Sequence, residues 1–307
     1  MLIFENIKPN LLYSSCIALG FFDGVHLGHE KVILDAVNRS KKIDAISAVV
    51  TFSNHPQSVI SGRHPKLLTT LDKRIELFEE LGAQAVILLK FTEEIAGLPP
   101  ENYLKSILIE SLNPKSISIG YNHHFGAQKK GNGAFLKEFE SKYNYKLSVI
   151  PPVSIDNHVV NSSSVRKLIK TGDVKTAARL LGRLFTIKNT VIHGEKRGRA
   201  IGFPTANLTL PHNFITPHPG VYSGLVTYED KTYRAVINVG KRPTFGDLAE
   251  DLLEVHILDF NQDIYGQQLE VSFIEKLRDE VKFDSVDALK KQIQSDCVTS
   301  LESNVVF

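Results

Sequence analysis

Apolar and polar positions along the first half of the chain change period again and again. Residues 16–19 form a short apolar run of the kind a buried strand requires, and 30–43 place Val32, Ile33, Ala36, Val37 and Ile43 on roughly one helix face. The same rhythm predicts strands at 45–52, 85–89 and 116–119 and helices at 71–81 and 101–109. Such alternation favours an α/β fold, a parallel sheet with flanking helices and right-handed crossovers, whose ligand crevice lies beyond the carboxyl ends of the strands. A helix over 173–181, stopped by Gly182, ends this texture. Short β-rich runs follow at 185–193, 220–228, 233–239, 252–258 and 269–273, with turn residues Glu229-Asp230 and Tyr265-Gly266 between some of them, and a helix over 286–293 closes the pattern. This second texture predicts an antiparallel barrel or sandwich. The expected domains are therefore 1–182 and 183–307.

Composition narrows the function classes. The 307 residues suit two domains, and 42% hydrophobic residues suffice for ordinary cores. A net charge of +2 does not describe a general nucleic-acid binder, so phosphate affinity has to come from local placement of Lys and Arg. Cys16 and Cys297 show no pairing pattern, which suggests a reducing compartment. No signal peptide and no bilayer-length apolar run is evident, so cytoplasmic residence without membrane association is expected.

The candidate chemistry sits where strands should end. After the first buried run comes Gly20-Phe21-Phe22-Asp23-Gly24-Val25-His26-Leu27-Gly28-His29, a strand end, a tight turn and a helix start. Gly20, Gly24 and Gly28 let the backbone approach a ligand, the new helix offers free N–H groups to an anion, and His26 and His29, about one turn apart, can face one phosphate. Ser53-Asn54-His55-Pro56 and Gly120-Tyr121-Asn122-His123-His124-Phe125-Gly126 follow two further strands. Asn161-Ser162-Ser163-Ser164-Val165-Arg166 is first of all a helix cap. In the second half, Gly194-Glu195-Lys196-Arg197-Gly198-Arg199-Ala200-Ile201-Gly202-Phe203-Pro204-Thr205-Ala206-Asn207 reads as a phosphate cradle or as a solvated basic loop. Alternation at 253–258 puts Glu254 and His256 on one strand face. Only two scattered cysteines exist, so zinc is not expected at the histidine pair, and neither a Gly-x-Gly-x-x-Gly fingerprint at that pair nor a Gly-x-x-x-x-Gly-Lys-Ser/Thr loop anywhere is present.

From Gly20 to Phe283 these motifs resemble, in order, the bacterial bifunctional riboflavin kinase/FAD synthetases. The resemblance implies a Rossmann-like nucleotidylyltransferase domain followed by a small β-barrel riboflavin kinase domain with a C-terminal helix. It implies that riboflavin and ATP give FMN and ADP in the second module, and that FMN and ATP give FAD and pyrophosphate in the first. In the first module, ATP would meet Gly20, Phe22, Asp23, Gly24, His26, His29, Asn122, Ser162, Ser163 and Arg166, with His26 and His29 stabilising the transferring phosphate. Flavin would meet His55, Pro56 and Phe125 in the first module and Arg278 in the second, the last within Leu277-Arg278-Asp279-Glu280-x-x-Phe283. In the second module, ATP would meet Gly194, Arg199, Gly202, Pro204, Thr205 and Asn207, with Thr205 and Asn207 also on Mg²⁺ and Glu254 as general base. Gly220-Val221-Tyr222 and Arg242-Pro243-Thr244-Phe245 complete the likeness.

Asn122 stands where that family often has Asp, and Lys129-Lys130-Gly131-Asn132 where it commonly has an Arg-x-Gly-Asp-like segment. These departures motivate an alternative, a riboflavin kinase whose N-terminal domain binds nucleotide as a regulator and transfers adenylyl groups poorly. An aminoacyl-tRNA synthetase-like reading of the histidine motif fails on two counts: Met1 is the only methionine, which excludes a Lys-Met-Ser-Lys-Ser loop, and the charge is near neutral. No nucleic-acid partner is expected, and weak self-association is left open.

Overall fold

The computed structural model describes residues 1–194, 197–210, 213–242 and 250–307. Two compact units, Met1–Ser162 and Ser163–Phe307, divide the chain.

The first unit is built on a six-stranded parallel sheet of β1 (Leu2–Phe4), β2 (Ser15–Leu19), β3 (Ile46–Phe52), β4 (Ala85–Leu89), β5 (Pro114–Gly120) and β6 (Lys146–Ile150), in the order β1-β4-β3-β2-β5-β6. α1 (Leu27–Ile43) crosses from β2 to β3, α2 (Leu71–Glu80) leads into β4, and α3 (Gly133–Tyr143) joins β5 to β6. Apolar layers lie on both faces: Ile17, Leu19, Val50, Ile87 and Ile117 on one, Ala18, Val49, Val86 and the inner side of α1 on the other. Burial on both faces is why the central strands read as unbroken apolar runs. The chain walks from β2 to β3 to β4 and then returns to β5 on the far side of β2, so the sheet reverses direction between β2 and β5. The loops after those two strands flank the crevice in which open α/β sheets bind ligands.

The expected helix over 101–109 is an α-turn (Pro100–Asn102), a π-helix (Tyr103–Ile109) and a second α-turn (Glu110–Leu112). Its buried residues Tyr103, Leu104, Ile107 and Leu108 fall in the doublets that this wider winding brings to one side.

In the second unit, α4 (Ser162–Lys170, which starts at the last residue of the first unit) and α5 (Val174–Leu181) precede a six-stranded antiparallel sheet. Its strands are β7 (Phe185–Thr190), β8 (Ala206–Thr209), β9 (Gly220–Tyr228), β10 (Lys231–Arg242), β11 (Glu250–Ile257) and β12 (Gln268–Arg278), in the order β8-β11-β10-β9-β12-β7. An antiparallel bridge between Ile192 and Asn207, with the Ile192 N–H donating to the Asn207 carbonyl at 2.8 Å, brings the two edges together into a nearly closed barrel. Leu208, Tyr222, Ile237, Leu253, Val255, Val271 and Phe273 fill its buried face. α6 (Val286–Glu302) packs against β9 and β10, where Ser300 Oγ donates to the Ala235 carbonyl at 2.9 Å. α6 runs well beyond the expected 293 because Asp296 and Ser300 occupy its buried positions, polar residues that break the apolar period. The two cysteines are free thiols.

Candidate functional site

At the carboxyl end of β2 the backbone enters the left-handed region at Phe22 (φ 56°), Gly24 (φ 85°) and Val25 (φ 37°). For Phe and β-branched Val this conformation is strained, so the surroundings must hold it. The buried Asp23 carboxylate accepts from the N–H groups of Leu68 (3.0 Å) and Thr69 (3.2 Å) and from the Thr69 hydroxyl (3.2 Å). Gly24 N–H donates to Thr69 Oγ1 at 3.0 Å, and Ser162 Oγ donates to the Asp23 carbonyl at 3.0 Å. Asp23 thus directs its carboxylate to the turn's own scaffold.

His26 is the N-cap of α1, its Nδ1 accepting from the His29 N–H at 3.2 Å. An imidazole that accepts at Nδ1 carries its proton on Nε2, so His26 presents an N–H donor there. His29 stacks on His26 with ring centroids 3.5 Å apart and meets Phe22 edge-on at 5.2 Å. Gly28 lies beneath the stack: a Cβ there would stand 3.2 Å from the His26 ring, closer than an unstrained contact allows. The sequence therefore places two imidazoles, with a glycine under them, at the N-terminus of a 17-residue helix. Backbone donors at a helix N-terminus are groups of the kind that bind anions.

The loop after β3 joins this turn through aromatic contact. His55 caps the short helix Pro56–Ile60, its Nδ1 accepting from Gln57 N–H at 3.1 Å, and meets Phe21 edge-on at 4.5 Å. Pro56 opens that helix. Asn54 exchanges two hydrogen bonds with the backbone of Phe91, at 2.9 and 2.8 Å, tying the loops after β3 and β4. After β5, Asn122 is exposed, and its carbonyl bonds His124 Nδ1 at 2.9 Å. Phe125 is 7% exposed and belongs to the core: it bridges to Gly131 and packs on Tyr103 and Phe135. Asn132 caps α3 by accepting from Phe135 N–H at 3.0 Å, a task Asp performs equally well. Ser163 and Arg166 lie on α4, in the second unit.

Burial, with His124 beside it, pushes His123 down to about 4. An unfolded histidine titrates near 6.5, so between pH 6.5 and 4 the unfolded chain binds more protons and stability rises with pH. Taking the protein from pH 7 to pH 5 should cost the first unit about 1–2 kcal/mol through this group. Urea melts at the two pH values check it: a His123→Asn variant should show a flatter dependence than the wild type.

In the second unit Glu254 on β11 pairs directly with Asn207 on β8 and with Asn238 on β10, so three polar side chains form a row across adjacent strands. A cavity of about 290 Å³ lies beside it, lined by Pro219, Asn238, Gly240, Leu252, Glu254 and Glu280. Gly194 presses on Asn207, where a Cβ would come within 2.3 Å of the amide nitrogen, so a side chain at 194 would push the Asn207 amide aside. The stretch 197–201, read from sequence as a loop, is a short helix. Gly202 (φ 95°) stops it, with Gly202 N–H on the Arg199 carbonyl and Phe203 N–H on the Gly198 carbonyl, the 5→2 and 6→1 bonds of a Schellman close. Pro204 and Thr205 follow at once, and His256 fastens them: its Nδ1–H donates to the Pro204 carbonyl at 2.8 Å while its ring meets Phe203. Arg278 makes a forked bond to the buried Asp296 of α6, with contacts of 2.8 to 3.1 Å, and lies over the Phe283 ring. Glu195, Lys196 and 243–249, including Pro243, Thr244 and Phe245, lie outside the described residues.

Sequence reasoning missed Arg74, Thr69, Asn238 and the tether made by His256. Arg74 carried a signal, since it shares with Leu77 and Phe78 the buried face of α2, where a charge is out of place unless it has work to do. Among the described residues no helix is long and apolar enough to cross a membrane, and no three His, Cys, Asp or Glu side chains cluster as a metal site.

A parallel sheet with a histidine pair at its switch point, followed by a barrel with a glycine-rich loop and a carboxylate-lined cavity, defines a two-module α/β and β-barrel protein. The FAD synthetase family model matches residues 8–164 and the Riboflavin kinase model residues 181–303. Bifunctional riboflavin kinase/FMN adenylyltransferases are similar along nearly their whole length: that of Haemophilus influenzae is 36% identical over 94% of both chains, and that of Bacillus subtilis 36% identical over 92% of this chain and 90% of its own. A solved Streptococcus pneumoniae structure, described as a macrolide-efflux protein, is 32% identical, covers 99% of this chain and 100% of its own, and superposes with a TM-score of 0.91. The chain belongs to the bifunctional riboflavin kinase/FMN adenylyltransferase family.

Proposed function

We propose that this chain makes FAD from riboflavin in two ATP-dependent steps: riboflavin plus ATP gives FMN plus ADP, and FMN plus ATP gives FAD plus pyrophosphate. The observation that carries this reading is the presence in one chain of both assemblies, the His26–His29 stack at the sheet's switch point and the Asn207–Glu254–Asn238 row at the barrel cavity.

In the first step the ribityl 5′-hydroxyl attacks the γ-phosphorus, Glu254 takes the hydroxyl proton, and ADP leaves. Phosphoryl transfer asks mainly for positioning and charge neutralisation, so the loop held by Gly202 and His256 and one carboxylate are adequate equipment. In the second step a phosphate oxygen of FMN attacks the α-phosphorus of ATP and pyrophosphate leaves. There the Nε2–H of His26 and the helix N-terminus donate to the oxygens on which charge develops. Thr205 and Asn207 supply a hydroxyl and an amide oxygen, which suit Mg²⁺, an ion that prefers oxygen ligands and keeps waters and substrate phosphates. When bound, Mg²⁺ neutralises phosphate charge. Ser162, Ser163 and Arg166 are assigned to ATP in the first module, and His55 and Pro56 to flavin. The free cysteines suit a reducing cytoplasm.

The alternative of a regulatory first domain draws on Asn122, Lys130 and Asn132, but Asn132 builds the same cap that Asp would. A chromatographic time course of riboflavin, FMN and FAD, with ATP and Mg²⁺, decides: FMN should rise and then give way to FAD. FMN accumulating without FAD would favour the regulatory reading.

Residues 1–182 are proposed to carry adenylyl transfer and 183–307 phosphoryl transfer. α5 nevertheless packs on β7 and β12, burying Val174, Ala177, Ala178, Leu180 and Leu181. Stripping that face would cost roughly 5–9 kcal/mol, taking Val174, Leu180 and Leu181 at about 1.5–3 each. A fragment of residues 163–307 should therefore fold and make FMN, whereas 183–307 should melt at lower temperature or not fold at all, as circular dichroism would report.

A further inference from the structure

Arg74 is 1% exposed and lies beneath the strained turn. Its Nη1 donates to the Phe21 carbonyl at 2.7 Å and its Nη2 to the Phe52 carbonyl at 3.3 Å, while the guanidinium stacks over the Phe21 ring at 4.5 Å. Phe21 opens the turn that carries His26 and His29, and Phe52 ends the strand before His55. One fork thus reaches the roots of two site loops, and the ring it stacks on is the ring that His55 meets. Burial pulls its pKa down to about 10, with Asp23 opposing the shift, so the group stays charged at neutral pH. Its Nε is buried with no hydrogen-bond partner. A fully buried cation with one unsatisfied donor is costly, and a methionine or leucine would fill the same helix face more cheaply. Thr51 Oγ1 donates to the same Phe21 carbonyl at 3.0 Å.

We propose that Arg74 is a positioning residue for adenylyl transfer, holding the phosphate-side turn and the flavin-side loop in register through the carbonyls of Phe21 and Phe52. The inference rests on the adenylyltransferase reading of the first unit. A planar fork can serve two carbonyls at once, and a lysine ammonium on its flexible stem does so poorly. Misplacing a catalytic group by about 1 Å costs on the order of a hundredfold in rate.

The test uses full-length wild type, Arg74→Lys, Thr51→Val and the double variant, each assayed for FMN adenylylation and for riboflavin phosphorylation, with melting followed by circular dichroism. Arg74→Lys should lower kcat for adenylylation tenfold to a hundredfold, with KM for ATP within threefold of wild type and phosphorylation within twofold. Because Arg74 and Thr51 act through one carbonyl, their effects on kcat should be clearly non-additive in the cycle. A merely structural arginine would lower the melting temperature and leave kcat per folded molecule unchanged, and that result overturns the proposal, as does full additivity. If Arg74→Lys does not fold, Thr51→Val decides alone: a several-fold fall in adenylylation kcat supports the clamp, and a wild-type kcat rejects it. Absence of adenylylation in the wild type would instead sink the functional reading on which the proposal stands.

Discussion

Glu254→Gln is expected to slow riboflavin phosphorylation by roughly a hundredfold to ten-thousandfold, the range a lost general base commands, and to leave conversion of added FMN to FAD at the wild-type rate. The substitution is nearly isosteric, and its surroundings accept it: Glu254 lies between Asn207 and Asn238 on the neighbouring strands, so a third amide adds no like charge to the row. An amide cannot take the proton of the attacking hydroxyl, so the loss should fall on kcat. Removing a negative charge beside a cavity that also holds Glu280 eases the approach of an anionic nucleotide, so KM for ATP should stay level or fall. Steady-state kinetics of both half-reactions on one preparation separate these effects. Normal phosphorylation by Glu254→Gln would remove Glu254 from the mechanism while leaving the fold untouched.

The fold was legible where burial is simple. The central strands of the parallel sheet are covered on both faces and contain little but apolar residues, so their positions could be read within a residue or two. Edge and polar elements were not legible. β6 is an edge strand with no fully buried residue, β1 is only three residues long, and α3 fully buries Leu136 alone, so none of them shows a period that separates it from loop. α6 disguised its second half by placing Asp296 under Arg278 and Ser300 against the barrel.

Sites followed the same logic. His26, His29 and the loop around Gly202 stood out because glycines and chemistry-bearing side chains sit together in sequence. What holds them is non-local. Asp23 reaches Leu68 and Thr69, Arg74 reaches Phe21 and Phe52, and His256 reaches Pro204. No spacing rule joins such pairs, and two expected ligand contacts are engaged structurally in the folded chain: Phe125 in the core and Arg278 in its fork with Asp296.

Replacing His26 and His29 together with Ala should reduce adenylyl transfer by about a hundredfold or more, the scale on which preorganised donors at a developing charge act. Riboflavin phosphorylation should persist, so FMN accumulates. The variant also loses the N-cap that His26 Nδ1 provides, worth about 1 kcal/mol. The turn itself keeps its anchors, because Asp23 still accepts from Leu68 and Thr69 and the Phe21 carbonyl still accepts from Arg74 and Thr51. The fold should therefore survive with a slightly lower melting temperature. His26→Asn separates cap from chemistry: asparagine restores an acceptor for the His29 N–H but is too short to carry a donor to where Nε2 stood. Its melting temperature should return towards wild type while its adenylyl transfer stays low. Should His26→Asn recover rate along with stability, the histidine acts as a cap and not on the phosphate. FAD formation at the wild-type rate by the double alanine variant would place the anion site elsewhere on the sheet.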